Sequence, residues 1–212
     1  CPALLREDLT FSKYCHAPGI LDMVSQLIGP DIALWNMSLF GKPACNGKAT
    51  PWHQDGQYWA VRPLATCSVW IAIDASTIEN GCLQVIPGSH RSRTLARHQY
   101  NPSENLTLHE ELVETEFDST IAKNIVLERG QISLHDVYLM HGSQPNLTDK
   151  NRCGMTMRMM PTTSHYDRTV AAEQDKVRSR RYGTKIKFSE NPVLLMRGID
   201  RCGKNEIHDP VT

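Results

Sequence analysis

The sequence predicts a mainly β protein, a sandwich or barrel such as a double-sheet jelly roll, with a few flanking helices. Three observations point there. Several short runs are rich in β-branched and aromatic residues, turn signals separate them, and only one or two stretches carry helical periodicity. Residues 19–28, "GILDMVSQLI", have apolar positions at helical spacing and stop at Gly29-Pro30. "DIALWNMSLF" alternates loosely and reads as a strand, on which Asn36 and Ser38 face either a ligand or a satisfied strand neighbour. "CSVWIAID" (67–74) has the strongest strand composition of the chain. "GCLQVIPGSH" gives a short strand closed by a Pro-Gly turn. "NIVLERGQISLHD" reads as two strands around the Arg129-Gly130 turn, and "CGMTMRMMPTT" (153–163) alternates up to a proline. Residues 91–118 are polar and irregular, expected as a long surface loop with at most one helical turn. Such insertions often act as lids. Residues 167–185, with the basic "KVRSRRYGTK", are expected as a helix or a mobile loop, and the tail from Glu206 as disordered.

Composition narrows the class. The 212 residues suffice for one domain with a substantial core, and residues 1–212 read as a single domain. Formal net charge is zero and the pI is near 7.2, so no basic footprint for nucleic acid is present. No apolar run reaches the ~20 residues of a membrane span. The first residues, "CPALLREDLT", lack a starting Met and the pattern of a signal peptide, so the chain reads as a fragment missing an N-terminal segment. Seven cysteines, an odd number with no CxxC spacing, argue against a disulfide framework or a thiolate zinc site and suit a reducing compartment. The cytoplasm is the expected location, with a peroxisome or another organelle left open. Sequons at Asn36, Asn105 and Asn146 carry no meaning inside a cell.

The chemistry concentrates in "TPWHQDGQYW", residues 50–59. In an extended segment, positions i and i+2 point to one face, so His53 and Asp55 aim at one point. An imidazole nitrogen and a carboxylate oxygen make two legs of a divalent-metal site. His141, in "LHDVYLMHGSQPN", is the best third leg. Two histidines and one carboxylate on one face of an ion form the facial triad of non-haem Fe(II) oxygenases, whose open positions take a cosubstrate and O₂. The bare tripeptide also fits a surface His–Asp hydrogen bond. Three further residues favour the metal. Arg152 opens an alternating strand, where a buried arginine is costly unless it meets an anion, and a guanidinium fork suits the far carboxylate of 2-oxoglutarate. Ser143 shares the turn of His141 and has a hydroxyl to donate to the same carboxylate. Trp70, a core residue by composition, carries an indole N–H within reach of the cosubstrate. For Arg152 the plain alternative is a solvated strand-end side chain.

Other residues admit plainer roles beside a functional one. Tyr58 and Trp59 wall a substrate pocket or pack in the core. Gln84 faces the pocket if Val85 faces the core. His90 and Arg91 sit at a site mouth or in an exposed turn. Arg158, Arg180 and Arg181 meet an anionic substrate group or a solvated face. His135 and Asp136 form another adjacent pair, in even spacing with His141, but one strand supplying every ligand would be crowded.

"WHQDGQYW", "SVWIAIDASTIENGCLQVIPGSHR" and "HDVYLMHGSQPNLTDKNR" together resemble the phytanoyl-CoA dioxygenase family over roughly residues 20–160. The resemblance implies a double-stranded β-helix (cupin-like) and dependence on Fe(II), 2-oxoglutarate and O₂. It puts the metal motif on His53, Asp55 and His141, the cosubstrate arginine on Arg152, and further cosubstrate contacts on Ser143 and Trp70. Related halogenases replace the metal carboxylate with a small residue. Asp55 therefore favours hydroxylation of a small-molecule substrate, a small metabolite or a lipid-derived acid, with release of succinate and CO₂. The same iron site also serves desaturation, epimerisation or ring formation. A non-catalytic cupin-like binding protein would be expected to have lost part of the set, and a zinc hydrolase has no use for Arg152. Family membership does not imply phytanoyl-CoA as substrate.

Overall fold

The computed structural model describes Cys1 and residues 3–208. In chain order the elements are α1 (Leu4–Glu7), α2 (Pro18–Ile28), β1 (Ile32–Lys42), β2 (Thr50–His53), β3 (Val61–Arg62), β4 (Cys67–Ala72), β5 (Leu83–Val85), β6 (His98–Tyr100), β7 (Glu110–Leu112), β8 (Lys123–Ile125), β9 (Ile132–Asp136), β10 (His141–Ser143), β11 (Arg152–Pro161), β12 (His165–Tyr166), α3 (Arg168–Tyr182), β13 (Val193–Arg197) and β14 (Ile207–His208). A six-stranded sheet runs β14-β13-β1-β11-β4-β9 and a four-stranded sheet β2-β10-β5-β8. Two small ribbons, β12-β3 and β6-β7, complete the strands. This is a mainly β jelly roll, the fold class that the short strands and turn signals predict.

The chain divides into two compact units. One holds residues 1–39, 58–69 and 156–212, and the other residues 40–57 and 70–155. The core of the first unit gathers Ile32, Leu34, Trp35 and Met37 of β1 with Met157 and Met159 of β11 and Leu194 of β13, all buried. Trp35 meets Trp59 edge-on at 4.9 Å and stacks on Tyr166 at 5.3 Å, arrangements that aromatic quadrupoles favour. Residues 32–38 are buried without a break, so β1 is covered on both faces and the loose alternation of its sequence is not a burial pattern.

Local chemistry sets the helix limits. Pro18 occupies the first turn of α2, where its missing N–H costs nothing, and Gly29 ends it at φ +91°. Leu21 and Val24 form its buried stripe. Asp167 caps α3 by accepting the Val170 N–H at 3.0 Å, and Gly183 closes it in the left-handed region. The 167–185 segment is thus largely a helix.

Two expectations need correction. Residues 91–118 are not a plain loop, since β6 and β7 pair in register, Gln99 opposite Glu111. Side-chain amides hold this hairpin, Gln99 and Asn101 donating to the Glu111 carboxylate at 3.1 and 3.0 Å, so no apolar alternation announces it. The tail is ordered through His208, because Ile207 and His208 add to β13 as a parallel strand. Residues 209–212 lie outside the described part. As the sequence predicts, two strands, β8 and β9, flank the turn at Gly130 (φ +86°), and they join different sheets, β8 beside β5 and β9 in the six-stranded sheet. Among the described residues, no helix is long and apolar enough to cross a membrane.

Candidate metal centre

Strands β2 and β10 place His53 directly opposite His141. β2 ends at His53, and a single turn, Asp55–Gln57, follows. The Gly56 N–H donates to the Val137 carbonyl at 3.1 Å, which fixes that turn. Asp55 therefore reaches the histidine by a turn rather than by the alternation of an extended segment. On the other side, the chain leaves β9 through a tight turn in which the Asp136 carboxylate accepts the Tyr138 N–H at 2.8 Å. The Ser89 hydroxyl accepts the Met140 N–H at 2.9 Å and anchors the start of β10. Asp136 is thus engaged by the turn, and the His135–Asp136 pair does not form a site of its own.

One ligand atom from each of His53, Asp55 and His141 lies within 4.8 Å of the others, and all three residues are buried. The imidazole centroids of His53 and His141 are 4.2 Å apart. Each ring is oriented from behind. Nδ1 of His53 meets the Pro51 carbonyl at 2.8 Å, and Nδ1 of His141 meets the Leu139 carbonyl at 2.9 Å. A carbonyl only accepts, so both Nδ1 atoms carry the proton and both Nε2 lone pairs are left for an ion. Burial pushes His141 down to about 3, and the neighbouring His53 adds to the effect. The ring is therefore neutral at physiological pH, as ligation requires.

Gln54, between the two ligands, points the other way and is fully buried. Its amide nitrogen donates to the carbonyls of Tyr138 (2.7 Å) and Thr94 (3.0 Å), and its carbonyl oxygen accepts the Ala96 N–H (2.8 Å). The Gln54 backbone N–H donates to Nε2 of His98 at 3.2 Å. The polar segment 94–98 is strapped to the ligand-bearing chain by these bonds. No spacing rule marks Gln54, because its partners lie about forty and eighty residues away.

The same unit holds a second polar cluster. Arg152 opens β11 and is 5% exposed. One guanidinium nitrogen donates to the Gly81 carbonyl, and the guanidinium carbon lies 5.4 Å above the Trp70 ring. Its buried Nε has no hydrogen-bond partner. Gly154 makes room for the indole, since a Cβ there would fall 2.0 Å from Trp70 Cζ2. Lys42 is also buried and donates to the carbonyls of Lys48 and, at 2.8 Å, Gln144. Burial first, then the charge of Arg152, pushes Lys42 down to about 7. Among the described residues, no ion pair joins Lys42 or Arg152 to a carboxylate. Ser143 is buried on β10, two residues from His141. Asn146 satisfies the turn below it with five hydrogen bonds, to Lys42, Pro43, Thr148 (two) and Lys150.

Gln84 spends its amide on Asn124 (2.9 Å) and Gln144 (3.1 Å), bridging β5 to both neighbours. His90 and Arg91 lie in a short turn, with Arg91 exposed. Tyr58, Trp59, Asn36, Ser38 and Arg158 fall in the other unit. There Trp59 is buried, Arg158 sits 5.0 Å over its ring and donates to Ser38 at 2.8 Å, and the Tyr58 carbonyl accepts from Arg178 at 2.7 Å. Arg180 and Arg181 are exposed in the last turn of α3.

The family model for phytanoyl-CoA dioxygenase matches residues 2–154, a span containing His53, Asp55, His141 and Arg152. The chain belongs to the phytanoyl-CoA dioxygenase family. Within the phytanoyl-CoA dioxygenase family, the human peroxisomal phytanoyl-CoA dioxygenase is 31% identical over 200 residues, which cover 90% of this chain and 58% of the human one. Of solved structures, the apo form of ThoJ, a non-heme monooxygenase, superposes with a TM-score of 0.70 at 27% identity, covering 94% of this chain and 65% of its own. CytC3 with Fe(II) and alpha-ketoglutarate superposes at 0.64 and 26% identity, covering 93% and 68%. The chain thus spans a little over half the length of the human relative.

Proposed function

We propose that this chain is an Fe(II)- and 2-oxoglutarate-dependent dioxygenase that hydroxylates a small metabolite or lipid-derived substrate, releasing succinate and CO₂. The observation that carries this reading is the convergence of two imidazoles and one carboxylate within 4.8 Å, all buried. That donor set is the one non-haem Fe(II) sites use. The second cluster fits the cosubstrate. A buried guanidinium with an orphaned Nε and no carboxylate partner is a costly arrangement that an anion relieves. CytC3, a structural neighbour solved with Fe(II) and alpha-ketoglutarate, agrees with both clusters.

When bound, the iron and the keto acid supply the oxidative chemistry. The chain's residues hold and orient. His53 and His141 offer Nε2, and the carbonyls of Pro51 and Leu139 keep the tautomer and raise the basicity of each ring. Asp55 offers one oxygen. Arg152, with Ser143, would receive the far carboxylate of the keto acid, and the Trp70 ring packs beside the guanidinium. Lys42, held down to about 7 by burial and then by Arg152, adds a second positive charge to the same region on the acid side of that value. Seven cysteines, odd in number and without CxxC spacing, support a reducing compartment, the cytoplasm or the interior of a peroxisome.

An anaerobic titration with Fe(II) and then 2-oxoglutarate tests the reading by its visible charge-transfer band. His53→Ala and Asp55→Ala should lose both the band and oxygen-dependent succinate release. Near-normal turnover by either variant with iron limiting removes the assignment. Perturbation of the band by one compound of a metabolite panel identifies the substrate, and a product heavier by one oxygen, rather than lighter by two hydrogens, identifies hydroxylation.

A further inference from the structure

A third imidazole stands at the cluster. His135, on β9, has a side chain only 7% exposed, and its Nε2 lies 3.6 Å from Asp55 Oδ2. His53 Nε2 lies at the same 3.6 Å from the other oxygen, Oδ1. The His135 ring is 5.0 Å from that of His141. The carboxylate is therefore flanked by an imidazole on each oxygen.

The back of the ring distinguishes His135 from the two ligand histidines. Their Nδ1 atoms each meet a carbonyl, whereas His135 Nδ1 is buried with no hydrogen-bond partner. A neutral imidazole puts its proton where an acceptor stands. For His53 and His141 that is Nδ1, which frees Nε2 for an ion. For His135 the acceptor is the Asp55 carboxylate, so the proton sits on Nε2. A protonated Nε2 does not ligate. To serve as a fourth ligand, the ring would have to bury an unsatisfied Nδ1–H.

We propose that His135 is a positioning residue for the metal centre, its Nε2–H holding the outer oxygen of Asp55 so that the carboxylate offers the ion one oxygen only. The idea rests on the Fe(II)/2-oxoglutarate reading given above. At 3.6 Å the contact is electrostatic, and a shift of about half an ångström makes it a hydrogen bond. A carboxylate giving both oxygens to the ion would occupy a position that the keto acid or dioxygen needs. A donor on Oδ2 prevents that and draws electron density from the carboxylate.

The test uses the full chain and needs no turnover. Wild type, His135→Phe, His135→Gln and His135→Asn are titrated anaerobically with Fe(II) and 2-oxoglutarate. Absence of a band in the wild type overturns the iron reading itself, and this inference with it. With a band in the wild type, His135→Phe should bind Fe(II) roughly 10–100-fold more weakly and move the band to longer wavelength. His135→Gln, whose amide nitrogen reaches about as far as Nε2, should stay within about threefold, while the shorter His135→Asn should follow the Phe variant. An unchanged band and iron affinity in His135→Phe overturns the proposal, even if the substrate KM rises. If His135→Phe does not fold, the Gln and Asn variants decide it, and equal behaviour of those two overturns it.

Discussion

At Lys42 a single side chain is expected to make 2-oxoglutarate affinity depend on pH. Its buried amine is held down to about 7, against 10.5 for the free group, first by burial and then by Arg152. Below about 7 it carries charge, and as pH rises through 7 it becomes neutral. A dicarboxylate in front of Arg152 therefore meets two cations on the acid side and one on the alkaline side. We expect 2-oxoglutarate to bind the Ni(II)-loaded protein more weakly as pH rises from about 6.5 to 8.5, by about 1 kcal/mol or roughly fivefold. Lys42→Met should bind at the weaker, alkaline level throughout. Calorimetric titration across that range checks both, and a wild-type affinity that does not change with pH would remove Lys42 from the anion site. Residues of this kind are the hardest to see in a sequence. Lys42 sits in "GKPACNGK", where nothing in the sequence marks it as buried, and one carbonyl it donates to, that of Gln144, is a hundred residues on. His135 was visible only as half of a pair with Asp136. The partner that matters, Asp55, is eighty residues away.

Elements rather than residues hold the two halves of the site in register. Asn146 is fully buried in the turn after β10. It donates to the carbonyls of Lys42, Pro43 and Lys150 and accepts from Thr148, tying the end of β1 to the turn that leads into Arg152. Asn146→Ala takes the donor from one buried and two part-buried carbonyls at once. It should destabilise the protein by about 3 kcal/mol, seen as a lower urea midpoint with unchanged slope. A loss below about 0.5 kcal/mol would mean that water replaces the amide at no cost. Elements with an apolar pattern were legible: α2 from its stripe and its Pro and Gly limits, β4 and β11 from composition. The β6–β7 hairpin was not, because its cross-strand bonds are between amides and a carboxylate. Nor was the division of β8 and β9 between sheets, since the Gly130 turn looks like a hairpin turn in sequence. The cluster of His53, Asp55 and His141 was legible because side-chain type and strand ends suffice to name it. The turn that swings Asp55 into place was not, since it depends on the Val137 carbonyl.

For the whole molecule, the buried imidazole of His141 couples stability to acid. His141 is held down to about 3 in the folded chain, against about 6.5 when exposed. Between those values the unfolded chain binds the extra proton and the folded one does not. Stability is therefore complete above about pH 6.5 and falls as pH drops toward 3. His141→Gln removes this contribution and should flatten the melting temperature of the metal-free protein between pH 7 and 5, above the range where ordinary carboxylates titrate. Ni(II) opposes the proton at the same nitrogens. At about a hundred times its dissociation constant it should add about 2.7 kcal/mol, or roughly 5–10 °C for a chain of this size. That gain must shrink as acid competes for the lone pairs. Thermal melts from pH 7 to 5, with and without Ni(II), give four curves for wild type and His141→Gln. The expected pattern is a wild-type slope that Ni(II) steepens, and a variant with a shallower slope and no response to Ni(II). A variant that Ni(II) still stabilises as much as wild type would place the ion elsewhere, because loss of the β10 imidazole leaves only the β2 histidine and its neighbouring carboxylate to hold it.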